Sequence, residues 1–348
     1  MKASPNEMQA LHIFRAQYFQ LSDPAQMRWP EAQLLKRPEA QAWLFEEMFD
    51  RDSIQYPPPE RYQVRVLKQL VSVIENAIDD PEEDELSDDL MSSLSMLLGS
   101  NLPSESASAQ TKSYVTYNFG NDRAVTLLES RSVISSSGTT GLRTWEAALH
   151  LGTYLASGTG RKWTQGKRVL ELGAGTGLLS ILCSKHLQAA KATATDGDEG
   201  VVDSIKTNLF LNGLDARSNT ESIVLRWGWS WALKDSLYYE EGSNDQYDVV
   251  LGADVTYDTS VIPVLVFTLA DLFQHQPSLQ ILIAATIRNE KTFEAFEVAC
   301  GRNKLSLQDI DFAPPHVDDQ NGPFYPTSTP IRIVQVSKIG DSDPFAVQ

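Results

Sequence analysis

Three glycines at alternate positions, Gly173, Gly175 and Gly177, follow directly on Val169–Leu172 and precede the apolar stretch Leu178–Leu182. A strand, a glycine turn and a helix in that order let backbone approach a ligand without Cβ atoms in the way. The spacing excludes the dinucleotide fingerprint, which needs Gly-x-Gly-x-x-Gly/Ala. Counted from Gly173 the third position is Leu178, and counted from Gly175 it is Ser180. Beyond the turn, Asp196 closes an apolar run where a carboxylate can accept two hydrogen bonds from a ribose diol. Its alternative is a helix N-cap, a role for which Asp198 competes. Trp227 offers a flat apolar wall for an adenine ring. Trp229 and Trp231 stand beside it, and packing in the core is the common fate of such rings. Trp145, ahead of the first strand, can close a pocket from the other side. Asp254 and Tyr257 suit a cationic substrate: the carboxylate can orient an ammonium, and the phenol can present an aromatic face or a hydroxyl. Their alternatives are an N-cap and a core aromatic. Glu171, inside the first strand, can be a buried carboxylate that orders the loop.

These residues need a scaffold, and the apolar pattern supplies one. Helical spacing runs through Met8, Leu11, Phe14, Tyr18 and Leu21, continues in Trp43, Leu44, Met48 and Phe49, and returns in Val66, Leu67, Leu70, Val71, Ile74 and Ile78. Residues 86–98 predict a last helix, so 1–99 reads as a helical N-terminal region, with a Ser-rich linker over 100–113. From Tyr114 the character changes. Residues 114–119 and 124–129 predict a hairpin about Gly120-Asn121-Asp122. Strands at 167–172, 191–195, 222–226, 247–252 and 279–286 then alternate with helices at 145–156, 177–187, 199–211, 258–274 and 290–302. Strands near 305–312 and 331–338 follow. Such alternation predicts an α/β fold, a parallel sheet with helices on both faces over 114–340, before a C-terminal tail at 341–348.

Composition narrows the function classes. The chain has 348 residues, 29 basic and 46 acidic, for a net charge of -17. That argues against direct binding of a nucleic-acid backbone, which takes clustered Lys and Arg, and is compatible with a basic protein partner. Cys183 and Cys300 sit in apolar contexts and read as buried thiols rather than a disulfide. The five histidines form no metal-spaced cluster, so no metal site is expected. No apolar leader with a small-residue cleavage site opens the chain, and the run Val261–Phe273 is interrupted by Pro263 and Asp271. The expectation is a soluble, cytoplasmic monomer that engages no membrane.

The string Glu-Leu-Gly-Ala-Gly-Thr-Gly at 171–177 resembles motif I of the Rossmann-like, seven-strand class I methyltransferases that use S-adenosylmethionine. With Trp145, Arg226-Trp-Gly and Asp254-Val-Thr-Tyr257 it resembles family 16 of the protein-lysine methyltransferases. Within that family, Ser137-Gly-Thr-Thr-Gly-Leu-Arg-Thr-Trp-Glu-Ala-Ala148, Ala253-Asp-Val-Thr-Tyr257 and Thr286-Ile-Arg-Asn-Glu290 are similar to the elongation factor 2 lysine methyltransferases. These are the group named for sequence similarity 86 and yeast elongation factor methyltransferase 3. The resemblance covers about residues 114–340. It implies S-adenosylmethionine as cofactor, with Glu171 near its methionine end, and Gly173, Ala174, Gly175 and Gly177 beneath it. Asp196, Trp227, Ala253 and Trp145 complete the implied cofactor set. Asp254 and Tyr257 are the implied catalytic pair, and elongation factor 2 the implied partner. Arg226 departs from the pattern, since an acidic residue often precedes the Trp-Gly. Rival readings are a methyltransferase of another protein or of a small molecule, and a non-catalytic interaction module that keeps the fold. The helical N-terminal region would recognise substrate or only support the sheet.

Overall fold

The computed structural model describes residues 4–80, 84–104, 111–130, 140–214, 219–228 and 246–339. The chain divides into two compact units, Met1–Val133 with Asn321–Phe324, and Ile134–Gln320 with Tyr325–Gln348.

In the first unit the helical stripes become α1 (Pro5–Phe19), α2 (Ala32–Leu35), α3 (Pro38–Leu44), α4 (Glu60–Ala77) and α5 (Asp88–Gly99). Ser4 starts α1 in a reciprocal capping box: its hydroxyl accepts from the Glu7 N–H at 3.3 Å, and Glu7 accepts from the Ser4 N–H at 2.6 Å. The stripe from Trp43 to Phe49 is not one regular helix, because α3 runs into a π-helical turn at Phe45–Phe49. Phe14, Tyr18, Leu44, Tyr62, Leu67 and Ile74 are buried in this unit. The hairpin is real, with β1 (Lys112–Asn118) antiparallel to β2 (Ala124–Ser130), but it belongs to this unit and not to the sheet that follows. The reason is physical: Val115, Tyr117, Val125 and Leu127 alternate to one buried face, and β1 packs on α1. The division thus falls after β2 and not within 100–113. Residues 105–110 of the expected linker, and the tail at 341–348, lie outside the described residues.

The second unit holds α6 (Glu146–Ala156), β3 (Arg168–Leu172), α7 (Leu178–His186), β4 (Lys191–Asp196), α8 (Glu199–Leu211) and β5 (Thr220–Val224). After these come β6 (Val249–Ala253), α9 (Ile262–His275), β7 (Gln280–Thr286), α10 (Glu290–Arg302), β8 (Leu305–Asp309) and β9 (Ile331–Lys338). The seven strands lie in the order β5-β4-β3-β6-β7-β9-β8. Pairing is parallel from β5 through β7, and β9 runs antiparallel to both neighbours. This is the class I methyltransferase sheet that was expected. Successive residues of β3 and β6 are buried, as they must be when both faces are covered. The fifth strand is displaced from its expected span of 222–226, since its pairing with β4 ends at Asp196–Val224. Chain order reverses between β3 and β6, and a crevice opens there at the strands' carboxyl ends. Cys183 and Cys300 are buried free thiols, pushed above their ordinary range by burial.

Candidate active site

The glycine turn is glycine for a steric reason. Gly173, Gly175 and Gly177 all have left-handed backbones, with φ of 61°, 55° and 81°. A Cβ on Gly173 would stand 2.9 Å from Val255 Cγ1 and 3.2 Å from Trp227 Cζ2, and one on Gly175 would stand 3.1 Å from the Gly141 carbonyl oxygen. The turn is stitched to β4: Ala174 N–H donates to the Thr195 carbonyl at 2.8 Å, and Gly175 N–H to Asp196 Oδ2 at 3.2 Å. Glu171 is 3% exposed, and its Oε2 accepts from the Ser180 N–H at 2.8 Å and the Ser180 hydroxyl at 2.5 Å. It therefore ties β3 to the first turn of α7. Burial pushes its carboxyl up to about 7, against the pull of the two Ser180 bonds.

The competition between the two aspartates resolves simply. Asp198 caps α8, accepting from the Val201 N–H at 2.9 Å. Asp196 lies at the end of β4 and lines the crevice, its carboxyl raised by burial. At the end of β5, Trp227 lines the same crevice while packing on the apolar core. Trp229 and Trp231 lie outside the described residues. Arg226 reaches Glu199 at 3.6 Å and the Gly197 carbonyl at 3.5 Å.

Across the crevice, Asp254 follows β6 in a left-handed conformation, φ 51°, that Asp tolerates better than most residues. It is no helix cap. Its Oδ1 accepts from the Thr286 N–H at 2.8 Å and its Oδ2 from the Thr286 hydroxyl at 3.0 Å. Its side chain is 7% exposed, and the Arg288 guanidinium stands 3.4 Å from Oδ2. Burial raises its carboxyl, opposed by the Thr286 bonds and by Arg288. Arg288 also pairs with Glu146 and lies over the Trp145 ring at 5.0 Å. Arg143 lies over that ring at 5.2 Å, and the Trp145 indole N–H donates to the Thr140 carbonyl at 3.2 Å. Tyr257 is not a core aromatic, being 62% exposed at the rim of the crevice.

Most of the candidate residues border one cavity of about 560 Å³, a common size for a small-molecule site. It brings together Trp145, Glu171, Gly173, Ala174, Gly175, Asp196, Trp227, Ala253, Asp254 and Tyr257. Gly177 sits just behind as the residue that opens α7. Glu146, Thr286 and Arg288 lie inside strings that carry the family resemblance, but no individual role for them follows from the sequence. A signal was present, since β7 neighbours β6 and its carboxyl end must lie beside Asp254. Among the described residues no His, Cys, Asp and Glu cluster could hold a metal, and no helix is long and apolar enough to cross a membrane.

Comparison with known proteins agrees with this geometry. A family model described as lysine methyltransferase matches residues 131–299. Protein-lysine N-methyltransferase EFM3 of Chaetomium thermophilum is 44% identical over 344 residues, covering 97% of this chain and all of that protein. EFM3 of Saccharomyces cerevisiae is 35% identical over 246 residues, covering 65% of this chain and 69% of that one. The human protein-lysine N-methyltransferase EEF2KMT is 30% identical over 259 residues, 72% of each chain. With its seven-strand sheet, glycine cradle and near full-length match, the chain belongs to this family of S-adenosylmethionine-dependent protein-lysine N-methyltransferases.

Proposed function

We propose that this chain methylates the ε-amine of a lysine in translation elongation factor 2, acting in the cytoplasm as a monomer. The observation that carries the reading is the shared cavity, in which a glycine cradle and Asp196 face a carboxylate and an aromatic rim. The sequence resemblance over residues 114–340 supports elongation factor 2 as the partner. S-adenosylmethionine supplies, when bound, a methyl group already activated on a sulfonium. Gly173, Ala174, Gly175 and Gly177 would hold it from below, with Glu171 at the methionine end. Asp196 would take the ribose and Trp227 the adenine, while Trp145 and Ala253 close the sides.

What remains for the protein is alignment and desolvation of the amine. A lysine attacks only as the neutral amine, and its reference pKa is about 10.4. Burial in the cavity favours loss of the proton, whereas Asp254 stabilises the ammonium. Asp254 therefore captures and aims the lysine, and the proton leaves to water before attack. Tyr257 offers its exposed ring to the lysine stem. A folded substrate needs contacts beyond one side chain, and the helical N-terminal region is assigned that role.

The test is transfer from labelled S-adenosylmethionine into an extract of a strain lacking this protein, followed by mapping of the modified peptide. Label in one lysine of elongation factor 2 is expected. In parallel, Asp254→Ala should slow transfer about 100-fold with unchanged cofactor affinity. Label confined to another protein would overturn the substrate, and unchanged turnover would overturn the role of Asp254.

A further inference from the structure

Glu146 and Arg288 are 142 residues apart, yet they meet at the rim beside Asp254. The guanidinium bridges the two carboxylates while lying over the Trp145 ring at 5.0 Å. Three contacts thus hold one flat cation: a single nitrogen, Nη2, pairs with both carboxylates, and the guanidinium lies on an aromatic face. Glu146 is itself anchored, in the first turn of α6 beside Trp145 at its start. Resting on the reading of Asp254 as the group that aims the substrate amine, we propose that Arg288 is a positioning residue for Asp254. It fixes the direction of the carboxylate and separates it from the like charge of Glu146.

Removing Arg288 leaves two carboxylates sharing a poorly solvated rim, an arrangement in which one takes up a proton. Glu146 already pushes Asp254 upward and Arg288 pulls it down. Farther round the same cavity stand Arg143, Glu171, Asp196 and Tyr257, whose charges a change at 288 leaves in place. The bridge therefore separates from ordinary packing by its charge logic. A methionine at 288 keeps length and loses charge, a lysine restores charge without the flat guanidinium that lies on Trp145, and neutralising Glu146 removes the repulsion at its source.

The experiment compares initial rates of label transfer from S-adenosylmethionine into an extract of a strain lacking the protein, between pH 6 and 9. Wild type, Arg288→Met, Arg288→Lys and the double variant Glu146→Gln/Arg288→Met are run together. Cofactor affinity and melting temperature are measured on each. Arg288→Met is expected to lose about 10- to 100-fold in rate, with its acid limb moved to higher pH. Arg288→Lys should recover part of the rate, and the double variant should be faster than Arg288→Met alone. Equal rates for wild type and Arg288→Met would overturn the inference. So would a loss with an unmoved pH profile and no recovery in the double variant, because that is what a purely structural role produces. Absence of transfer by wild type would instead count against the underlying function, so the two failures are distinct.

Discussion

The two walls of the cavity are built by different means. The wall at residues 173–177 is backbone: three left-handed glycines, within five residues, sewn to β4 by main-chain N–H groups. The other wall is side chain: Trp145, Asp254 and Arg288, drawn from three places in the sequence and tied, with Glu146 behind them, by charge and a ring face. A backbone wall has no spare room and should fail at a single added carbon. A side-chain wall can yield by degrees, since charges and rings can be exchanged for others of similar shape. The sharpest way to break this contrast is Gly173→Val. A β-branched residue at φ 61° is strained in itself, and its Cβ would stand 2.9 Å from Val255 Cγ1. Cofactor affinity measured by calorimetry should fall by at least about 100-fold, worth some 2.7 kcal/mol. Binding close to wild type would show that the cradle is not what holds the cofactor.

The contrast also explains which features are legible in the sequence. The glycine turn, the carboxylate at the end of β4 and the strand–helix alternation are local, and each was legible as spacing. The competition between Asp196 and Asp198 needed geometry, because both stand where a cap could form. Glu146 and Arg288 stand inside the recognisable strings 137–148 and 286–290, but their meeting is not legible there, since it depends on β6 and β7 being neighbours and on α6 crossing above them. The hairpin was recognised as a hairpin, but its unit was not, because alternation says which residues need burial and not against what. The shift of β5 from 222–226 to 220–224 is an edge-strand effect: with one neighbour, β4, the ladder decides where pairing ends.

Glu171 probes the backbone wall with a charge change and no change of shape. Both Ser180 donors reach the same oxygen, Oε2, so the amide oxygen of Glu171→Gln can accept both. Burial pushes the native carboxyl up to about 7, from an ordinary value of 4.5. Between those values the folded protein holds the proton more tightly than the unfolded chain, so wild-type stability falls as pH rises through that window and levels off above it. Glu171→Gln has no such pH dependence. Denaturant melts of the cofactor-free protein should therefore show the variant gaining about 1–3 kcal/mol on wild type between pH 4.5 and 7.5. A constant difference across that range would mean that Glu171 is ionised inside the fold, and that the wall is held by charge after all.

Tyr257 gives the smallest expected effect and the finest test of the side-chain wall. Its ring is 62% exposed at the rim of the cavity. If the ring is what meets the lysine stem, Tyr257→Phe keeps the working surface and loses only an exposed hydroxyl, whose hydrogen bonding is worth no more than about 1 kcal/mol. The rate of label transfer should fall no more than about fivefold, with cofactor affinity unchanged. Tyr257→Ala, which removes the face itself, should cost more, and mainly as a raised KM for the protein substrate. A loss approaching that of Asp254→Ala in the phenylalanine variant would place the hydroxyl at the reacting nitrogen. The rim would then be as intolerant as the glycine wall, and the distinction between the two would fail where it is most exposed to test.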